Sequence, residues 1–100
     1  MSEVVEFTLN VKPGHYAEVL TRYAEFAHNF AEINPAFISQ LVVGDEASGI
    51  VRGIGVYTDH AEAAAVNSDA FFGDFMNVIE PLIEGAPTRV SLDLVLSWSK

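Results

Sequence analysis

The residues best suited to chemistry in this chain are aromatic: Phe7, Tyr16, Tyr23, Tyr57, Phe72, Phe75 and Trp98. Brought together between a sheet and its helices, they would wall a dry cavity containing a few hydroxyl groups. Such a lining suits a flat aromatic ligand. The same residues also serve as ordinary core, since aromatics at helix and strand spacing turn inward in most domains.

Other reactive types offer less. Of the three histidines, His15 sits in a turn before a helix and His60 in the first turn of another. His28 lies between Glu25 and Glu32 at helical spacing, where a carboxylate–imidazole cluster or a plain solvated face results. No HxxxH, HxH or carboxylate array has metal-ligand spacing, so no metal is expected. There is no GxSxG elbow, and Gly53-Ile54-Gly55 lacks the third glycine and the following helix of a nucleotide-binding loop. A separate polar set, Thr8, Arg52 and Asp93, extended by Gln40, is expected to form a row across one sheet face. Arg52 buried in a dimer interface there would need a carboxylate, Asp93 or Glu6. An anionic substrate reaching Arg52 is the alternative.

These groups are positioned by six elements. Val5, Phe7, Leu9 and Val11 alternate with polar residues, the period of a half-buried strand that Pro13-Gly14 stops. Tyr16, Leu20, Tyr23, Ala27 and Phe30 form one stripe of a helix from about Tyr16 to Ala31, which Asn34-Pro35 ends. Phe37 to Val43 and Ile50 to Thr58 read as a hairpin across a glycine-rich loop. Gly53 and Gly55 leave room there for a bulge, a packed helix or a ligand. Asp59 and Glu62 have capping-box spacing before a short helix, Ala61 to Val66. Asn67-Ser68-Asp69 interrupts it, and a second segment carries Phe72, Phe75, Met76, Ile79 and Ile83 inward. Pro81 loosens that segment and Gly85 caps it. Val90 to Trp98 alternates as a last strand. The order βαββαβ is that of a ferredoxin-like α+β domain: a four-stranded antiparallel sheet with two helices on one face.

At 100 residues the chain is expected to be one domain spanning 1–100. Half of it is hydrophobic, which for so short a chain points to further burial in a dimer interface. Five basic against fourteen acidic residues give a net charge of −9, and such an acidic chain lacks the basic stripe that nucleic-acid binding needs. The absence of cysteine removes disulfides, thiolate catalysis and cysteine-ligated zinc. With neither a signal-peptide pattern nor an apolar run of about 18 residues, the expectation is a cytoplasmic protein with no membrane partner.

With the elements in this order, the chain resembles the dimeric α+β barrel superfamily, in particular its antibiotic-biosynthesis-monooxygenase-like branch. The resemblance runs nearly the whole length. It is carried by Val11-Lys12-Pro13-Gly14 leading into the first helix, by the stretch from Ser68 to Phe75, and by Gly85-Ala86-Pro87 before the last strand. It implies two sheets paired in a homodimeric barrel, with a cavity between each sheet and its own helices. Several members of this superfamily oxidise aromatic polyketides or quinols without metal or flavin. Relatives often carry a histidine shortly before the serine of the second helix, whereas Ala64-Ala65-Val66-Asn67 stands here. Asn67 is the nearest polar substitute.

The expectation is therefore a cofactor-independent monooxygenase-like protein acting on a small aromatic compound. Tyr57 and Asn67 would donate hydrogen bonds to the substrate anion, within walls of Phe7, Tyr16, Tyr23, Phe72, Phe75 and Trp98. Two other classes fit the same pattern. One is a non-catalytic small-molecule-binding or stress-response barrel, and the other a structural dimerisation module whose cavity is filled by its own side chains.

Overall fold

A computed structural model describes residues 2–100. Its elements are β1 (Glu3–Asn10), α1 (Tyr16–Ile33), β2 (Phe37–Asp45), β3 (Ile50–Tyr57), α2 (His60–Ala65), α3 (Ala70–Ile79) and β4 (Thr88–Asp93). A 3-10 turn, Val66–Ser68, separates α2 from α3, and another, Glu80–Leu82, follows α3 and contains Pro81. The strands form one antiparallel sheet in the order β2-β3-β1-β4, the ferredoxin-like arrangement the element order predicts. Among the described residues no helix is long and apolar enough to cross a membrane.

Local chemistry explains the helix ends. The Asp59 carboxylate accepts from the Glu62 N–H at 2.9 Å and starts α2. Asp69 accepts from Phe71 and Phe72 N–H at 2.8 and 3.2 Å and starts α3. Each satisfies donors that the first helical turn leaves free. The α1 helix ends at Asn34, whose Oδ1 accepts from the Ala36 N–H at 3.0 Å as the chain turns into β2.

The face of the sheet covered by helices is set by the register. Val5, Phe7 and Leu9 stand opposite Gly55, Gly53 and Val51, and Phe7 stands opposite Arg89 on the other side. Their side chains share one face, so Arg89, Ser91 and Asp93 of β4 face the helices while Val90 and Leu92 face away. In β2 a bulge between Phe37 and Ser39 resets the alternation. Phe37, opposite Tyr57, and Gln40, opposite Gly55, both turn inward although three residues apart.

Two of the four residues expected in the polar outer row therefore change sides. Thr8 and Arg52 stay together on the outer face, with Arg52 Nε donating to Thr8 Oγ1 at 3.0 Å. Gln40 and Asp93 belong to the helix side: the bulge moves the first, and β4 turns its apolar residues outward, which moves the second. The last strand is also shorter than its alternating sequence suggests. The ladder with β1 ends at the Glu3–Asp93 pair, and the Leu94 N–H then bonds to the Ser2 carbonyl at 2.9 Å. Residues 94–100 carry no regular structure, and Trp98 is 78% exposed.

The core has two buried clusters. One contains Leu9, Val19, Tyr23, Val51, Phe75 and Ile79, and the other Val5, Phe30, Phe37, Tyr57, Ala63 and Val66. Phe26 and Phe72 pack against both. Phe26 stacks on Phe75 with ring centres 4.3 Å apart, and Phe72 meets Phe7 edge-on at 5.6 Å.

The glycine pair in β3 lies where the two clusters meet. A Cβ on Gly53 would overlap the Tyr23 hydroxyl, whereas one on Gly55 would stand 2.8 Å from the amide oxygen of Gln40, the end of a flexible side chain. Gly53→Ala is expected to cost about 1–3 kcal/mol through overpacking, and Gly55→Ala distinctly less. Urea denaturation of the two variants checks the order; equal costs would show that Tyr23 moves aside as readily as Gln40.

Candidate functional site

Between the two clusters lies a cavity of about 30 Å³ lined by both groups of side chains. Its walls are Val5, Phe7, Phe26, Phe37, Val66 and Phe72, and its polar groups are Tyr23, Gln40, Tyr57 and Arg89 over Gly53 and Gly55. That volume holds about two water molecules.

Four expected wall or donor residues meet here: Phe7, Tyr23, Tyr57 and Phe72. The others lie elsewhere. Phe75 is buried one layer back, edge-on to Tyr23 at 5.2 Å. Tyr16 sits at the other end of α1, with its hydroxyl against Gly44, in a separate groove with Lys12, Glu46 and Ser48. Asn67 is exposed in the 3-10 turn, and its neighbour Val66 fills the wall instead. A tight turn spends its inward direction on one residue, and the apolar one takes it. Trp98 stands outside the cavity in the exposed C-terminal segment.

Arg89 is the functional group that sequence reasoning missed. It is half-buried, and its Nη2 donates to the Ala63 carbonyl at 2.7 Å, tying β4 to α2. Among the described residues the ion pairs are His28–Glu32 at 3.1 Å and His60–Glu3, so Arg89 has no carboxylate partner. The available signal was the alternation Arg89, Ser91, Asp93 against Val90, Leu92. Gln40 was hidden by the β2 bulge, which no residue type announces.

The histidines keep to the periphery. His28 and Glu32 form an exposed helical pair, as the spacing predicts. His60 Nδ1 bonds to the buried Glu3 carboxylate, fastening the first turn of α2 to β1. Among the described residues no three His, Cys, Asp or Glu side chains cluster to hold a metal ion.

The electrostatics make the two inner tyrosines donors. Burial pushes the Tyr23 hydroxyl well above the usual tyrosine range and nearby Tyr57 adds to this; a Gln40 hydrogen bond and the Arg89 charge act the other way. Tyr57, 6% exposed, is raised by burial against the same Arg89 charge. Both hydroxyls stay protonated near neutrality and are poor general bases. With Arg89 they present hydrogen-bond donors and positive charge to whatever occupies the cavity.

A pH dependence follows. The raised values mean that the unfolded chain ionises its tyrosines first, so this contribution to stability is complete below about pH 10. It is lost as pH rises through the folded values. In an alkaline titration followed by near-ultraviolet absorbance, Tyr23 is expected to ionise only as the protein unfolds. Tyr23→Phe should remove that late step; full ionisation with native circular dichroism would contradict the burial argument.

No family model matches the sequence, and no curated protein matches it. Solved structures do. A provisionally named antibiotic biosynthesis monooxygenase from Caulobacter crescentus superposes with a TM-score of 0.84 at 20% identity, over 95% of this chain and 91% of that one. A cofactor-independent oxygenase from Streptomyces nogalater gives 0.79 at 17% identity, over 99% and 98%. A protein of unknown function from Nitrosomonas europaea gives 0.84 at 16%, over 99% and 94%. The chain thus has the ferredoxin-like α+β fold of the antibiotic-biosynthesis-monooxygenase-like proteins.

Proposed function

We propose that this protein binds a small acidic aromatic molecule as its anion and lets that anion react with dioxygen, without metal or flavin. The observation that carries this reading is Arg89. It is a half-buried guanidinium with no carboxylate partner among the described residues, beside two buried tyrosine hydroxyls in an otherwise apolar cavity. A fixed cation and O–H donors in a water-poor site favour the ionised form of an acidic ligand. The similarity of fold to a cofactor-independent oxygenase supports the reaction class.

The chemistry balances on the substrate alone. A ring methylene acidified by a neighbouring carbonyl loses a proton to give an enolate, which passes one electron to dioxygen. The radical pair closes a C–O bond, and the resulting hydroperoxide loses water to leave a new carbonyl. One oxygen atom stays on carbon and the other departs in water with the two methylene hydrogens. The chain's share is to hold the enolate oxygen against Arg89 and Tyr57 and to keep water out.

The cavity is smaller than an aromatic ring, so entry requires a wall side chain to move, and Phe72 is half-buried on the first turn of α3 just beyond the 3-10 break. The same small volume favours a second reading, a non-catalytic barrel or dimerising scaffold whose own rings fill the space. Dimerisation belongs to both. Leu41, Val43, Val90 and Leu92 leave the outer sheet face apolar, and Val95, Leu96 and Trp98 extend it along the C-terminal segment. We propose that a second copy of the chain covers that face, with Arg52 and Thr8 in its middle.

Oxygen uptake by hydroxylated bicyclic and tricyclic aromatics, measured with an electrode, tests the reaction. Arg89→Met is expected to lower the rate about a hundredfold with unchanged circular dichroism. Ligand binding without uptake would leave a binding barrel, and neither would leave the scaffold. Light scattering at micromolar concentration should give a dimer, weakened in a chain ending at Asp93; a monomeric full-length chain would end the dimer proposal.

A further inference from the structure

Resting on the reading that a second copy covers the outer sheet face, we infer that the two copies are held in register by Arg52 of each against Glu6 of the other. Val5, Phe7 and Leu9 turn toward the helices, so Glu6 and Thr8 point outward from β1, and Arg52 and Ile54 point outward from the neighbouring β3. Arg52 stands opposite Thr8, and Glu6 stands opposite Ile54 on one side and Val90 on the other. Both charged residues are half-buried. Exposed apolar side chains flank them, Leu41 and Val43 on β2 and Val90 and Leu92 on β4.

Neither charge is answered within the chain. Arg52 Nε donates to Thr8 Oγ1 at 3.0 Å, which leaves the rest of its N–H groups in want of acceptors. The ion pairs among the described residues, His28–Glu32 and His60–Glu3, involve neither Arg52 nor Glu6. Other carboxylates near the sheet are committed elsewhere. Glu3 and Asp93 stand opposite one another on the helix side. Asp45 shares a groove with Arg52, but it is exposed at the end of β2 and accepts from the Ser48 hydroxyl at 2.7 Å and the Ser48 N–H at 3.2 Å. Glu6 is the carboxylate in the middle of the face. An apolar partner laid over it would strand two charges away from water.

A second copy of the same face supplies what each lacks. In a two-fold interface, if Arg52 of one copy meets the partner's Glu6, then Glu6 of the first meets the partner's Arg52. The axis then runs between β1 and β3, the two central strands, and lays β3 of one copy over β1 of its partner and β2 over β4. Leu41 and Val43 are thereby set against the partner's Val90 and Leu92, apolar against apolar. An axis through Arg52 itself would set guanidinium against guanidinium, which like charge opposes. Charge and apolar matching select the same register. Within one chain Glu6 and Arg52 also stand diagonally across β1 and β3, so an internal pair is the competing arrangement.

Light scattering and native mass spectrometry of charge-reversed chains test this. Glu6→Arg and Arg52→Glu are each expected to weaken the dimer about a hundredfold or more, and an equimolar mixture of the two should restore a dimer holding one of each. The doubly reversed chain, Glu6→Arg with Arg52→Glu, should pair with itself but not with the native chain, because there Glu6 would face a glutamate and Arg52 an arginine. Free mixing of the doubly reversed and native chains is the outcome for an internal pair, and preferential mixing the outcome for an axis through Arg52; either overturns the inference. So does a native dimer that tolerates both single reversals. These results leave the dimer standing, whereas a monomeric native chain ends both proposals. Circular dichroism reports folding. If a reversed chain does not fold, Glu6→Gln and Arg52→Gln replace it: their combined loss of dimer affinity should be smaller than the sum of the single losses, and an additive sum would refute the pairing.

Discussion

The depth to which α1 can reach the sheet is set by two side chains that are not there. Gly53 and Gly55 face the helices from the middle of β3, opposite Phe7 and Val5 on one side and Val42 and Gln40 on the other. A Cβ at the first would occupy the space of the Tyr23 hydroxyl. Because the phenol reaches the sheet there, the rings behind it close ranks, with Phe75 edge-on to Tyr23 and Phe26 stacked on Phe75. The polar end of Tyr23 is thereby delivered to the seam between two apolar clusters, and the cavity exists because that seam cannot be filled by aliphatic packing alone.

Charge at this seam comes from the sheet's edge. Removing a guanidinium from water is costly unless its protons find acceptors. Arg89 meets that requirement partly, through the Ala63 carbonyl, and remains half in contact with solvent. An edge strand permits this compromise. The acidic remainder of the chain, with fourteen carboxylate residues, sends none within ion-pairing distance of Arg89 among the described residues. The surface is negative while the cavity is positive.

The sequence made the architecture legible wherever one physical pattern dominated. The stripe of α1, the cap at Asp59, and the break at Asn67-Ser68-Asp69 all act within a few residues, and all stand where local rules put them. Side of the sheet was harder to read. Polar residues of β4 were expected outward, yet Val90 and Leu92 take that face and Arg89, Ser91 and Asp93 look inward. The outer face is itself apolar, so hydrophobic alternation does not mark inside from outside. Half the expected cavity wall was recoverable from aromatic spacing, since Phe7, Tyr23, Tyr57 and Phe72 converge. Trp98 was misplaced because its alternation continues past Asp93, where β4 ends. Arg89 and Gln40 owe their positions to tertiary register, which a single strand's pattern does not contain.

The bulge in β2 has a consequence for strand pairing. An extra residue between Phe37 and Ser39 splits the strand into two frames of alternation, one keyed to Phe37 and the other to Gln40 and Val42. An unbulged strand can slip by two residues and still keep its inward set inward. Here a slip that keeps one frame aligned carries the irregularity against a different part of β3, away from Tyr57 and Val56. The bulge thus acts as a key cut into the edge of the sheet, favouring one pairing of β2 with β3 and holding the Gln40 amide over the two glycines of that strand.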